Sequence, residues 1–70
     1  NAEDALKTTM DAVDNALVLS VDKLWILHGK GDGVLRKLLR ENLRKVSHVK
    51  QLESEHPDFG GDGITIITLG

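Results

Sequence analysis

Residues 24–33 constrain the fold more than any other stretch of this chain. Leu24-Trp25-Ile26-Leu27 is a short continuous apolar run, too short for a helix, held between Asp22-Lys23 and a glycine cluster, and it predicts a buried strand. His28-Gly29-Lys30-Gly31-Asp32-Gly33 follows, and three glycines in five residues forbid regular structure there. A helical pattern resumes at once. Leu35, Leu38, Leu39, Leu43 and Val46 form an apolar stripe over Val34 to Val46. A strand that runs through glycines straight into a helix brings unpaired helix N–H groups, a partial positive charge and an approachable backbone to one place. Such a turn suits a phosphate or another anion, and it also suits a plain ligand-free connection. It lacks the Lys-Ser/Thr of a P-loop and the glycine spacing of the dinucleotide fingerprint.

The rest of the chain supplies what a strand of this kind must pack against. Leu6, Met10, Val13 and Leu17 recur at helical spacing, with Asn1 placed to cap the helix and Glu3 and Asp4 matched to its positive end. That pattern fades near Leu19-Ser20. Residues 48–53 read weakly as a strand, 56–63 as a loop, and Ile64-Thr65-Ile66-Ile67-Thr68-Leu69, β-branched at nearly every position, as a well-buried strand. The order α-β-α-β-β predicts an α+β two-layer sandwich with two helices on one face of a sheet. The most apolar strand, 64–69, is expected in the sheet centre, between 24–27 and 48–53. At 70 residues the chain allows one domain with a modest core.

Charge is distributed in blocks. The net charge is −2, which opposes strong non-specific nucleic-acid binding. Residues 23–50, however, carry Lys23, Lys30, Arg36, Lys37, Arg40, Arg44, Lys45 and Lys50 against only Asp32 and Glu41, while both flanking segments are acidic. Arg36, Arg40 and Arg44, spaced by four, form a ridge along the second helix. The ridge reads either as a row of phosphate contacts or as a solvated helix flank. His28, at the strand end, reads either as an acid, base or charge stabiliser, or as a pin that holds the glycine turn by hydrogen bonds. Trp25 reads as core, inside an apolar run. Phe59 is the only other aromatic residue, so recognition by base stacking is not expected.

Several functions find no support. Without cysteine there is neither a disulfide nor a thiolate metal site, and a reducing cytoplasm is the default expectation. No apolar run approaches the ~20 residues of a membrane span. His48 and His56 stand eight apart with no third ligand, and Asp32, Asp58 and Asp62 are scattered over two loops, so no metal site is assigned. No cofactor motif is present.

Ile26-Leu27-His28-Gly29-Lys30-Gly31-Asp32-Gly33-Val34-Leu35-Arg36 resembles the HGxGxGxLR signature of Smr (small MutS-related) domains. Asp4-Ala5-Leu6 and Val13-Asp14-Asn15-Ala16-Leu17 resemble that family's first helix, and Gly60-Gly61-Asp62-Gly63-Ile64-Thr65-Ile66 resembles its GGxGxT turn and last strand. The resemblance covers essentially the whole chain, and the stop just after that strand resembles the end of long bacterial MutS paralogues whose last module is an Smr domain. It implies a β-α-β-α-β-β fold with a mixed sheet, similar to the C-terminal domain of translation initiation factor three. The family's first strand carries an LDxR or LDxH motif implicated in nuclease activity. Residues 1–70 begin after it and are expected to be an N-terminally truncated Smr domain with weak activity by itself. Asp32 stands where the family often has Thr.

The resemblance further implies a DNA or RNA nicking endonuclease, with His28 catalytic and Gly29, Lys30, Gly31, Gly33, Arg36, Arg40 and Arg44 binding nucleic acid. The expected partners are DNA, branched or structured, or RNA or the ribosome. A parent protein would be a cytoplasmic homodimer that binds ATP outside this segment and acts in recombination control or DNA repair. The alternatives are a binding module without chemistry and an interaction or dimerisation module using a free sheet edge.

Overall fold

A computed structural model describes residues 1–70. The elements run α1 (Ala2–Val18), β1 (Lys23–Leu27), α2 (Val34–Leu43), β2 (Val49–Ser54) and β3 (Ile64–Leu69), with short 3-10 turns at Pro57–Phe59 and Gly61–Gly63 before the last strand. The chain is the expected α+β two-layer sandwich, with two helices and a three-stranded sheet in the order β1-β3-β2. The strand at 64–69 is central, as its apolar character requires.

α1 begins where Asn1 accepts a hydrogen bond from the Asp4 amide at 2.8 Å, and Glu3 and Asp4 occupy its first turn. It ends in a Schellman arrangement. The Val21 amide returns to the Ala16 carbonyl at 2.8 Å and the Ser20 amide to that of Leu17 at 3.3 Å. Ser20 takes the left-handed φ of 58° that glycine usually supplies there. α2 is shorter than its apolar stripe. Past Leu43 the bonds tighten, with the Lys45 amide on the Asn42 carbonyl and the Val46 amide on that of Leu43, and the chain turns toward β2.

Val13 and Ala16 of α1, Leu39 and Leu43 of α2, and Ile67 and Leu69 of β3 make the buried core. Both helices therefore cover the same sheet face. Burying each of the larger aliphatic side chains stabilises the fold by roughly 1.5–3 kcal/mol.

Two expectations are corrected. The sheet is antiparallel throughout rather than mixed, because β3 lies between β1 and β2 and pairs antiparallel with each, so the two mutually parallel strands never touch. Trp25 is not core, and β1 is only half buried. Leu24 and Ile26 face the helices, whereas Trp25 and Leu27 point to the open face and are 55% and 79% exposed. An apolar run that reads as a strand buried on both faces is here an edge strand with one face covered. The Trp25 indole Nε1 donates to Glu55 at 2.9 Å. Since β3 separates β1 from Glu55, the ring must reach across the central strand.

Candidate functional site

At the C-terminal end of β1 the two glycine-rich turns are fastened together. The His28 and Gly29 amides both donate to the Gly63 carbonyl, at 3.0 and 2.9 Å. Gly29, Gly31 and Gly33 all have positive φ, at 80°, 41° and 84°. The turn thus uses glycine conformational freedom at alternate positions. Asp32, one position ahead of the Gly33 N-cap, accepts from the Val34 amide at 3.0 Å through Oδ1, placing a carboxylate where an anion would otherwise find a free donor.

The His28 ring is held on both sides. Nδ1 lies 2.8 Å from the Gly29 carbonyl oxygen and Nε2 lies 2.8 Å from Thr65 Oγ1. Thr65 is 1% exposed. Its hydroxyl also accepts from Arg40 Nε at 3.0 Å, and Arg40 Nη2 donates to Ser54 Oγ at 3.0 Å. Ser54 in turn donates to Asp62 Oδ1 at 2.9 Å. Asp62 closes the chain on Arg36, whose Nη1 lies 3.7 Å from Oδ2 and 3.4 Å from the Asp62 carbonyl oxygen. One hydrogen-bonded path therefore joins His28, Thr65, Arg40, Ser54, Asp62 and Arg36.

The arginine ridge is not uniform. Arg40 leans inward, half-buried, and its two donors serve Thr65 and Ser54. Burial lowers its guanidinium pKa, with Arg36 and Arg44 adding repulsion and Asp62 partly offsetting both. It remains charged all the same. Arg36 bends back over Gly33 toward Asp62. Arg44 is exposed and borders a shallow depression with Lys50 and Gln51. Arg36 and Arg44 thus both act on Arg40, Asp62 is the one carboxylate acting on it, and Lys30 is exposed on the adjoining turn.

His48 bonds the Gly70 carbonyl at 3.3 Å and His56 accepts from the Asp58 amide, so the two histidines serve separate local structures. No group of three or more histidine, aspartate and glutamate side chains converges. An open groove of about 390 Å³ runs along β1 between α1 and α2, with Thr9, Ile26, His28, Leu35 and Leu39 among its walls.

Sequence reasoning placed Asp62 and Thr65 in the GGxGxT turn without giving either a role at this site, and it missed Ser54. The signal for Thr65 was present. It shares its sheet face with Ile67 and Leu69, both buried, and an inward-facing hydroxyl in a core requires a polar partner.

The family model for the Smr domain matches residues 1–70. The chain is 39% identical over 69 residues to the endonuclease MutS2 of Finegoldia magna and 38% identical over 66 residues to that of Thermus thermophilus. These stretches cover 99% and 94% of this chain but 9% of each relative. The crystal structure of the Smr domain of Thermus thermophilus MutS2 superposes with a TM-score of 0.95 at 36% identity, over 100% of this chain and 88% of that one. Fold, glycine turns and sequence together define an α+β domain of the Smr family, and the chain belongs to that family. Within it, the match is to the C-terminal Smr domain of MutS2.

Proposed function

We propose that this domain binds nucleic acid at the end of the sheet where β1 and α2 meet the glycine turns, and that it contributes to phosphodiester nicking there. The observation that carries this reading is the excess of cation at one place in an acidic molecule. Of Arg36, Arg40 and Arg44 only Arg36 is paired with a carboxylate, Asp62, whose charge also acts on Arg40, and Lys30 adds charge on the turn. Guanidinium groups match phosphate oxygens in geometry and charge. The relatives' name, endonuclease MutS2, points to the same substrate class, and His28 stands at the same turn.

In this reading Gly29, Gly31 and Gly33 let the backbone approach a phosphate, Lys30, Arg36 and Arg44 contact it directly, and Arg40 acts mainly from within. The strand that the family carries ahead of the first helix would lie along the free edge of β1, beside the groove. For a full-length parent protein we propose a cytoplasmic MutS2-like role on structured DNA or RNA in recombination control or repair, as an ATP-binding homodimer.

One observation favours a binding module without chemistry. Both ring nitrogens of His28 already have protein partners. Plasmid nicking and duplex binding, measured for the parent and for His28→Ala in a form extended to include the family's first strand, separate the two readings. A loss of about 10²–10⁴-fold in cleavage with affinity retained supports the nuclease reading. Equal cleavage by both forms assigns His28 to the turn alone. Absence of binding by either form moves the interaction-module reading to the front.

A further inference from the structure

We infer that Thr65 is a positioning residue for His28: its hydroxyl, aimed by Arg40, holds the imidazole as the Nδ1–H tautomer, so that His28 offers a phosphodiester oxygen a hydrogen-bond donor and not a base. The inference rests on the reading of His28 given above and specifies what the ring does there.

Two independent constraints agree on the tautomer. At one end, the Gly29 carbonyl oxygen can only accept, so the 2.8 Å bond to Nδ1 requires the proton on Nδ1. At the other end, Arg40 Nε can only donate, so Thr65 Oγ1 accepts from it at 3.0 Å. The single hydroxyl proton of Thr65 is then free to point at its other neighbour, His28 Nε2, 2.8 Å away, which must present a lone pair. The opposite tautomer fails at both ends. Nε2–H and Arg40 would both donate to Oγ1 and leave a buried hydroxyl proton without an acceptor, while the Nδ1 lone pair would face a carbonyl oxygen. Arg40 itself is held in place by its second donor, on Ser54, which is fixed in turn by Asp62.

Accessibility decides which nitrogen a ligand can use. The Nε2 bond is partly buried and ends on a residue 1% exposed, so Thr65 does not touch a substrate. The Nδ1 bond is exposed and ends on the carbonyl of a turn glycine with φ of 80°. A phosphate oxygen can replace that carbonyl as acceptor without disturbing Thr65 or Arg40. No proton needs to leave the ring, and the interaction strengthens as charge develops on the phosphoryl oxygens.

The test is long-range ¹H–¹⁵N correlation NMR on the histidine-labelled 70-residue chain, at a pH where the imidazole is neutral. A protonated, pyrrole-type Nδ1 with a pyridine-type Nε2 at His28 is the expected spectrum. Thr65→Val should shift the ring toward Nε2–H, and Thr65→Ser should retain the parent pattern. An Nε2–H tautomer in the parent chain, or an unchanged tautomer in a folded Thr65→Val, overturns the inference. If Thr65→Val does not fold, Arg40→Met serves instead: without the Arg40 donor the Thr65 hydroxyl can accept from Nε2–H, so the ring should again shift toward that tautomer, and an unchanged tautomer overturns the inference. The spectrum does not depend on cleavage: an Nδ1–H tautomer that shifts in Thr65→Val, together with an active His28→Ala, would uphold the positioning by Thr65 and remove the nuclease role proposed for His28.

Discussion

Arg40 Nε donates to Thr65 Oγ1 at 3.0 Å across 25 positions of sequence, and this bond divides a helix flank that looks uniform into two kinds of arginine. Arg40 faces in and Arg44 faces out. Arg40→Met should therefore cost about 1–3 kcal/mol, because it leaves the Thr65 and Ser54 hydroxyls short of a partner. Arg44→Met should stay within about 0.5 kcal/mol of the parent. Urea denaturation of the two variants measures the difference, and equal stabilities would contradict the inward placement of Arg40.

Asp62 is the one carboxylate facing the arginine cluster. Asp62→Asn keeps an oxygen for Ser54 and removes the charge that competes with phosphate for Arg36. Affinity for a short duplex should rise, and the salt dependence should steepen by about one unit for one more phosphate contact. Arg36→Glu with Arg44→Glu should do the reverse. Binding isotherms at several salt concentrations test both. Unchanged affinity in both variants would place the nucleic-acid surface elsewhere.

Ser20 holds a left-handed φ of 58° at the end of α1, a conformation that costs a side-chain-bearing residue roughly 1–2 kcal/mol. Ser20→Gly relieves it and loosens the unfolded chain somewhat, so a net gain of about 0.5–1 kcal/mol is expected. Thermal unfolding should show a higher midpoint. A lower one would mean that the serine side chain contributes more than its backbone strain.

Ile67 is fully buried in the central strand and Leu27 is 79% exposed on the edge strand. Ile67→Ala should cost about 2–5 kcal/mol. The total stability expected for a chain of this size is only about 4–10 kcal/mol, so this variant should be largely unfolded on mild heating. Leu27→Ala should be nearly neutral. Circular dichroism melts distinguish them, and a large loss for Leu27→Ala would show that the open face of the sheet is covered in solution.

Local order was legible wherever a short pattern carries its own physics. Leu6, Met10, Val13 and Leu17 announced a helix, Asn1 announced its cap, and the unbroken β-branched run at 64–69 announced the central strand. The glycine turn was legible too, since alternate glycines have few other uses. Trp25 misled because a four-residue apolar run looks the same whether one or both faces of its strand are covered. What lies over each face is a property of the sheet, not of the strand.

The sequence by itself determined the elements, their order and the chemistry available at the His28 turn, because periodicity, capping and glycine content act over a few residues. Only the tertiary structure decided which of those groups meet. Pairing β1 against β3 sets Ile26 opposite Thr65 and brings the His28 ring to the Thr65 hydroxyl, while pairing β2 against β3 sets Ser54 opposite Thr65 from the other side. Arg40 then enters from α2 and must donate to both hydroxyls, since a half-buried guanidinium cannot leave its donors unmatched at low cost. No local pattern encodes that meeting. It follows from strand register, which brings His28 to a partner 37 positions away, and from the packing of α2 on the sheet, which brings Arg40 to the same hydroxyl across 25 positions.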